Sequence, residues 1–250
     1  MANKVYLYGK NPLHEALLST KRGGDLTIDK LFLTKQASED PEIISDVQSY
    51  KIPYSVVTNQ EIEHIVGTDA VHQGICALLH EELLYTPLEE LLIKIKTLSR
   101  NPLLILLDEL QDPHNVGAIT RSAVAFGATA ILIGEHSQTQ LNGTVIKSAS
   151  GMNFIIPIVK IGNINTIIKK LKDNGFWIYG LTGKGDTELQ NANFDSPTVI
   201  IIGSEGEGIK AKTLELCDFK LSIKTNSLCE SLNASNAAAV TVYEWSKQQA

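Results

Sequence analysis

Cysteine is scarce in this chain of 250 residues: Cys76, Cys217 and Cys229 are the only three. They are odd in number and widely spaced, with no Cys-x-x-Cys pair and no Cys/His cluster. That excludes a disulfide-stapled scaffold and argues against a zinc site, and free thiols in a reducing cytosol fit best. Long apolar runs are missing too. No stretch reaches the roughly eighteen residues that a membrane helix needs. The opening MANKVYLYGKNPLHEALL has neither a continuous apolar segment nor a small-residue cleavage site, so no secretory signal is expected and the protein is read as cytoplasmic. Positive charge is also in deficit. The formal net charge is −6; residues 1–85 carry 7 Lys+Arg against 12 Asp+Glu, and residues 101–250 carry 12 against 14. A general polyanion-binding protein shows a basic patch. Any RNA met by this chain must therefore meet a local site, one that two subunits could share.

What the chain does have is enough apolar residue, 43%, to build a packed core. The first segment reads as alternating strands and helices: strands over 5–9, 28–34, 53–57 and 72–79, with a helix capped by Asn11 ahead of Pro12, one from Pro41 and one over 58–66, the last opened by Thr58 and Glu61 in capping-box spacing. The pattern divides the chain into an N-terminal α/β unit over 1–80, a linker with an amphipathic helix over 81–100, and a larger unit over 101–250. The larger unit opens on LLILLDEL, whose unbroken apolar character is that of a strand buried on both faces. Strands are then expected over 130–134, 154–159, 176–182, 198–203 and 220–223. Helices are expected over 115–126, 141–150, 163–174, 208–216 and 232–248. The fold class is α/β, with a mostly parallel sheet covered on both faces.

Three stretches carry candidate chemistry. LDELQDPHNVGAITRSAVAFGA (107–128) leaves the buried strand, crosses a polar loop and enters a helix. Asn115 there is as consistent with an N-cap as with a working residue. Arg121, among small and apolar neighbours, is expected to meet a partner, since lone buried charges are costly. VIIIGSEGEGI (199–209) is a strand running into a glycine-rich loop. Ligands of open α/β sheets sit beyond the carboxyl ends of strands, but two carboxylates, Glu205 and Glu207, would repel a phosphate. KLSIKTNSLCESLNASNAAA (220–239) leads through a polar loop to Ser231, Leu232, Asn233 and an alanine-rich helix, in which Ser231 or Asn233 could also serve as a cap.

Together and in this order, DPHNVGAITRSAVAFGA, IIIGSEGEGI and SIKTNSLCESLNASNAAA resemble the three successive motifs of the SpoU (TrmH) family of RNA ribose methyltransferases, within the SPOUT superfamily. The N-terminal part, with VYLYGKNPLHEAL near its start and HQGICALL near its end, is similar to the small L30e-like substrate-binding domain of the RlmB-like subgroup, which methylates guanosines of large-subunit rRNA. The resemblance implies a Rossmann-like parallel sheet with a C-terminal trefoil knot. Pattern alone would have given an unknotted sheet, because topology rules make knots the least expected outcome. It implies S-adenosylmethionine as cofactor, no metal, and transfer of a methyl group to a ribose 2′-hydroxyl. Carried over by motif, Asn115, Arg121, Glu205, Ser231 and Asn233 resemble the catalytic-centre residues. Thr182, Gly183, Gly203, Gly208, Ile223 and Leu232 resemble the cofactor-binding set. S-adenosylmethionine has no phosphate and carries a positive sulfonium, which a loop holding carboxylates tolerates. The family's arginine has been assigned as a general base, but a guanidinium stays protonated at physiological pH. Arg121 is therefore expected to grip a phosphate beside the target ribose and steady the developing alkoxide, with Glu205 holding either Arg121 or the hydroxyl. The resemblance also implies a homodimer through the knotted domain. One departure stands out: Ile223 is followed by Lys224, Thr225, Asn226 and Ser227, where the subgroup has a proline after the isoleucine, so the rigidity of that loop is lost.

Three rivals remain at this stage. A tRNA 2′-O-methyltransferase shares every motif, but its relatives more often have short terminal helices in place of the N-terminal domain. A non-catalytic RNA-binding assembly factor could use the same scaffold. A nicotinamide-dependent oxidoreductase would want a different glycine order and no acidic loop.

Overall fold

The computed structural model describes residues 3–21, 28–229 and 231–249, and its chain divides into two units. The first is built on a mixed four-stranded sheet. Its elements are β1 (Lys4–Tyr8), α1 (Lys10–Lys21), β2 (Ile28–Leu33), α2 (Lys35–Ser38), α3 (Pro41–Ser49), β3 (Tyr54–Val56), α4 (Asn59–Val66) and β4 (Ile75–His80). The strand order is β1-β4-β2-β3: β4 lies antiparallel to both neighbours, and β3 is a parallel edge strand. Local chemistry sets the helix starts. Asp40 caps α3 ahead of Pro41, and Thr58 and Glu61 form the reciprocal capping box of α4. Asn11 lies inside α1 and does not cap it, because the helix already begins at Lys10.

The second unit begins with α5 (Leu88–Ile95), β5 (Leu103–Asp108), α6 (Pro113–Ala125) and β6 (Ala130–Gly134). Residues 141–155, including α7 (Gly143–Ser148), belong to the first unit. There an ideal Cβ on Gly143 would stand 2.4 Å from Tyr6 O and 2.8 Å from the Tyr8 ring, so only glycine allows this approach to β1. The second unit resumes with β7 (Ile158–Ile161), α8 (Ile164–Asp173), β8 (Trp177–Leu181), β9 (Thr187–Glu188), β10 (Thr198–Gly203), α9 (Ala211–Leu214), β11 (Phe219–Ser222) and α10 (Ala234–Lys247). The strand expected over 154–159 instead starts at Ile158. Pro157 has no N–H for a ladder and sits just ahead of β7, its carbonyl accepting from Ile131 N at 3.0 Å.

The seven strands are ordered β7-β6-β5-β10-β8-β11-β9 and are all parallel. Every residue of β5, β6 and β10 is buried, as their continuous apolar sequences require of strands covered on both faces. Leu91 and Leu92 of α5 with Ile168 and Leu171 of α8 close one face over Leu104, Leu106, Val199 and Ile201. Helix α6 packs against α10, which also contacts β10. Because all the strands are parallel, the loops that leave β5, β10, β8 and β11 emerge along one edge of the sheet. No described helix is long and apolar enough to cross a membrane.

Candidate functional site

The three motifs meet at that carboxyl edge. Gly203, the last residue of β10, is in register with Asp108, the last of β5. Thr182 and Gly183 follow β8, and Thr182 N donates to Leu221 O of β11 at 2.9 Å. Ile223 comes directly after β11, and Leu232 and Asn233 precede α10.

A directed chain of hydrogen bonds links the motifs. Asn233 caps α10: its Oδ1 accepts from the backbone N–H groups of Ser235 and Asn236 at 2.9 and 3.4 Å. The Asn233 amide nitrogen therefore faces outward, and Nδ2 donates to Oδ1 of Asn115 at 3.0 Å. With its oxygen so engaged, Asn115 turns its own Nδ2 to Glu205 Oε1 at 2.6 Å. Each amide orientation follows from the one before it, and the chain ends on a carboxylate, which only accepts. Glu205 Oε2 makes no hydrogen bond among the described residues and is exposed. Asn115 is not the cap of α6. Asp112 holds that place, accepting from His114 N at 2.8 Å, which leaves Asn115, 6% exposed, free to link the other two motifs.

The loop after β10 closes on itself. Ser204 and Gly208 exchange two backbone hydrogen bonds of 3.1 Å each, and Gly208 takes φ +72°. An ideal Cβ on Gly203 would lie 2.1 Å from Gly208 C and 2.2 Å from Ile209 N. The space that this glycine leaves is filled by the return of its own loop, which projects Glu205 and Glu207 outward, both exposed.

Arg121 does not join this chain. Helix α6 buries Asn115, Val116, Ile119, Thr120 and Ala123, while His114, Arg121 and Ala125 lie on its exposed face. Small neighbours imply packing only on the side that they share, and Arg121 is on the other. It has no ion-pair partner among the described residues. Ser231 is also exposed, its carbonyl accepting from Cys229 Sγ at 3.3 Å. Lys224, in the loop that departs from the subgroup pattern, lies 3.9 Å from Glu188 and is largely exposed.

Sequence reasoning missed Asp108. It is 1% exposed and its Oδ2 accepts from Lys210 N at 3.0 Å, while Oδ1 is buried without a partner among the described residues. Burial raises its pKa, opposed by that backbone hydrogen bond. Asp108 thus holds the 203–210 loop at both ends: its backbone pairs with β10 at Gly203, and its side chain ties down Lys210. Next to it Glu109, at φ +60°, accepts from Lys210 Nζ at 2.5 Å. The signal was present, since a charged residue closes an otherwise apolar strand.

An all-parallel sheet with polar groups from three loops converging on its carboxyl edge defines an α/β protein with a ligand crevice at that edge. Comparison with known proteins makes the class specific. Residues 102–243 match the SpoU rRNA Methylase family, and residues 6–83 match the RNA 2′-O ribose methyltransferase substrate binding family. The chain is 34% identical over 247 residues to an uncharacterized tRNA/rRNA methyltransferase of Synechocystis sp., covering 97% of this chain but 62% of that relative, so it spans less than two thirds of that protein's length. It is 32% identical over 240 residues to a putative TrmH family tRNA/rRNA methyltransferase of Staphylococcus epidermidis, covering 96% of this chain and 94% of the relative. In fold it is similar to the SpoU methyltransferase AviRb from Streptomyces viridochromogenes, solved with AdoMet, with TM-score 0.83 and 21% identity over 98% of this chain and 90% of that one. The chain belongs to the SpoU methylase family.

Proposed function

We propose that this protein transfers a methyl group from S-adenosylmethionine to the ribose 2′-hydroxyl of a guanosine in large-subunit rRNA. The observation that carries the reading is the Asn233–Asn115–Glu205 chain, which joins all three motifs of the family at the crevice of the sheet. The residues around that crevice fit the cofactor. Backbone at the ends of β10, β8 and β11 suits an adenosine, half-exposed Leu232 offers apolar surface, and exposed carboxylates tolerate a cationic sulfonium where they would repel a pyrophosphate. Thr182, Gly183, Gly203, Gly208, Ile223 and Leu232 would hold it, and the bound cofactor supplies the methyl group.

The remaining work falls to side chains of this chain. Asn115 fixes one oxygen of Glu205, leaving Oε2 to accept the ribose hydroxyl and orient its oxygen. Alignment of this kind is worth roughly 7–11 kcal/mol in well-oriented pairs. Ser231 adds a second hydrogen-bonding group for the ribose. Arg121, exposed and permanently charged, binds the adjoining phosphate bidentately and steadies the developing alkoxide as its proton passes to Glu205 Oε2. Forming no ion pair with Glu205 within one protomer, it suits a site completed by a second copy. Val240 and Tyr243, 44% and 52% exposed on α10, are the apolar groups suited to that homodimer contact. The N-terminal unit favours rRNA over tRNA as substrate.

Incubation with tritiated methyl-S-adenosylmethionine and, separately, rRNA and tRNA from a strain lacking the enzyme, followed by mapping of the labelled nucleotide, tests this directly. Label on a 23S guanosine ribose is expected. Label on tRNA alone would remove the rRNA assignment, and label on neither would remove the enzymatic one.

A further inference from the structure

A cleft of about 840 Å³ opens in the N-terminal unit. It is lined by the 72–74 turn, the start of α2, and the start of α4. Its volume falls in the range of small-molecule pockets, about 300–1,000 Å³, too large for a lone ion.

Its walls carry several donors without partners among the described residues. His72, which lines the cleft, is 8% exposed, and its Nδ1 accepts from Gly74 N at 3.0 Å. In the neutral ring the proton then sits on Nε2, and that N–H has no acceptor among the described residues. Gln73, held at φ +55°, uses Oε1 to accept from Lys10 N at 3.1 Å and Lys147 Nζ at 3.2 Å, and its amide NH₂ has no acceptor among the described residues. Lys35 is exposed and has no ion-pair partner among the described residues. The backbone N–H of Asn59, at the start of the eight-residue helix α4, is likewise without an acceptor there. Against these donors stand two carboxylates: Asp40, neutralised by Lys10 at 2.5 Å, and Glu63. No Phe, Tyr or Trp lines the cleft, so it offers no stacking platform.

We infer that this cleft binds one unpaired nucleotide of the substrate RNA, gripping its phosphate with His72 Nε2–H, the Gln73 amide and Lys35. A donor-rich concavity without aromatic walls selects phosphate and carbonyl oxygens over base faces. Loops and bulges present splayed nucleotides that can enter a cleft of this size, whereas an A-form duplex keeps its nucleotides paired and stacked. The inference rests on the proposed RNA substrate but assigns a separate site, built wholly from the N-terminal unit.

The test is direct binding of a fluorescein-labelled single-stranded RNA of roughly twelve nucleotides to the full chain, read by anisotropy. His72→Asn keeps an acceptor for Gly74 N–H and deletes the Nε2 donor; Lys35→Ala deletes the cation. Each is expected to weaken binding about tenfold, the size of one lost hydrogen bond to a charged group. Lys4→Ala removes the same charge from an exposed strand residue outside the cleft, and its affinity is expected to stay within about twofold. Equal losses in all three variants, or none in the cleft variants while their thermal unfolding is unchanged, would overturn the inference. So would an unlabelled duplex of the same sequence that competes as well as the single strand. Methyl transfer by the wild-type protein is scored separately. Cleft-dependent binding without transfer counts against the enzymatic reading alone, and transfer without cleft dependence counts against the cleft alone.

Discussion

Asn115 Nδ2 donates to Glu205 Oε1 at 2.6 Å, across 90 residues of sequence. The bond matters because Asn115 has no freedom to turn: its oxygen is taken by Asn233. Asn115→Asp would keep the acceptor for Asn233 and set a carboxylate against Glu205. Two like charges at this distance repel, and a buried acceptor left without a donor costs about 1–3 kcal/mol. We expect thermal unfolding to fall accordingly and single-turnover methyl transfer to drop about a hundredfold, as loss of a transition-state contact does. Transfer at the wild-type rate would show that the chain plays no part in the reaction.

Gly203→Ala tests the loop. Its new methyl would enter the backbone of Gly208 and Ile209, at 2.1 and 2.2 Å. Backbone cannot swing aside as a side chain can, so the loop must open, at about 1–3 kcal/mol for overpacking of this kind. Calorimetric titration with S-adenosylmethionine should show weakened binding together with a lower unfolding temperature. Gly206→Ala, where a Cβ meets nothing within 4 Å, should leave both unchanged.

Arg121 separates stability from function. It is exposed and without an ion-pair partner among the described residues, so Arg121→Ala should change unfolding free energy by no more than about 0.5 kcal/mol. Methyl transfer should nonetheless be lost, and Arg121→Lys should recover only part of it, because an ammonium cannot reproduce a bidentate fork. Near-full turnover in Arg121→Lys would exclude the bidentate grip.

Asp108 makes a prediction in pH. Burial raises its folded pKa, so the folded state holds the proton that the unfolded chain releases near pH 3.9. The carboxyl therefore favours folding below the unfolded pKa, and that contribution is lost as pH rises through the folded value. Asp108→Asn does not titrate and still offers an oxygen to Lys210 N. Its unfolding temperature relative to wild type should rise as pH increases above about 4, the unfolded carboxyl's range. A difference that is flat or falls with pH would mean that the carboxyl is not charged at a cost in the folded protein.

Much of the second unit was legible in residue order. The runs Leu103–Leu107 and Val199–Ile202 announce strands buried on both faces, and the structure places β5 and β10 side by side in the centre of the sheet. The expected 198–203 and 130–134 strands have the observed bounds. Local signals misled where a neighbour in space decided the outcome. Asn115 looked like a cap because asparagine caps helices, yet Asp112 reached the N–H groups first. Arg121 looked packed because residues beside it in sequence are small, and helical geometry turned it outward.

The sequence by itself determined the alternation of strands and helices, the parallel character of the larger sheet and the three motifs, because periodicity, apolar runs and turn residues act over short stretches of chain. Only the tertiary structure decided that Asn233, Asn115 and Glu205 form one hydrogen-bonded line, that Gly203 makes room for its own loop, and that Asp108 ties that loop down. Those contacts join residues 90, 118 and 102 positions apart. Distances of a few ångströms between such positions follow from strand order and register, which no local pattern encodes.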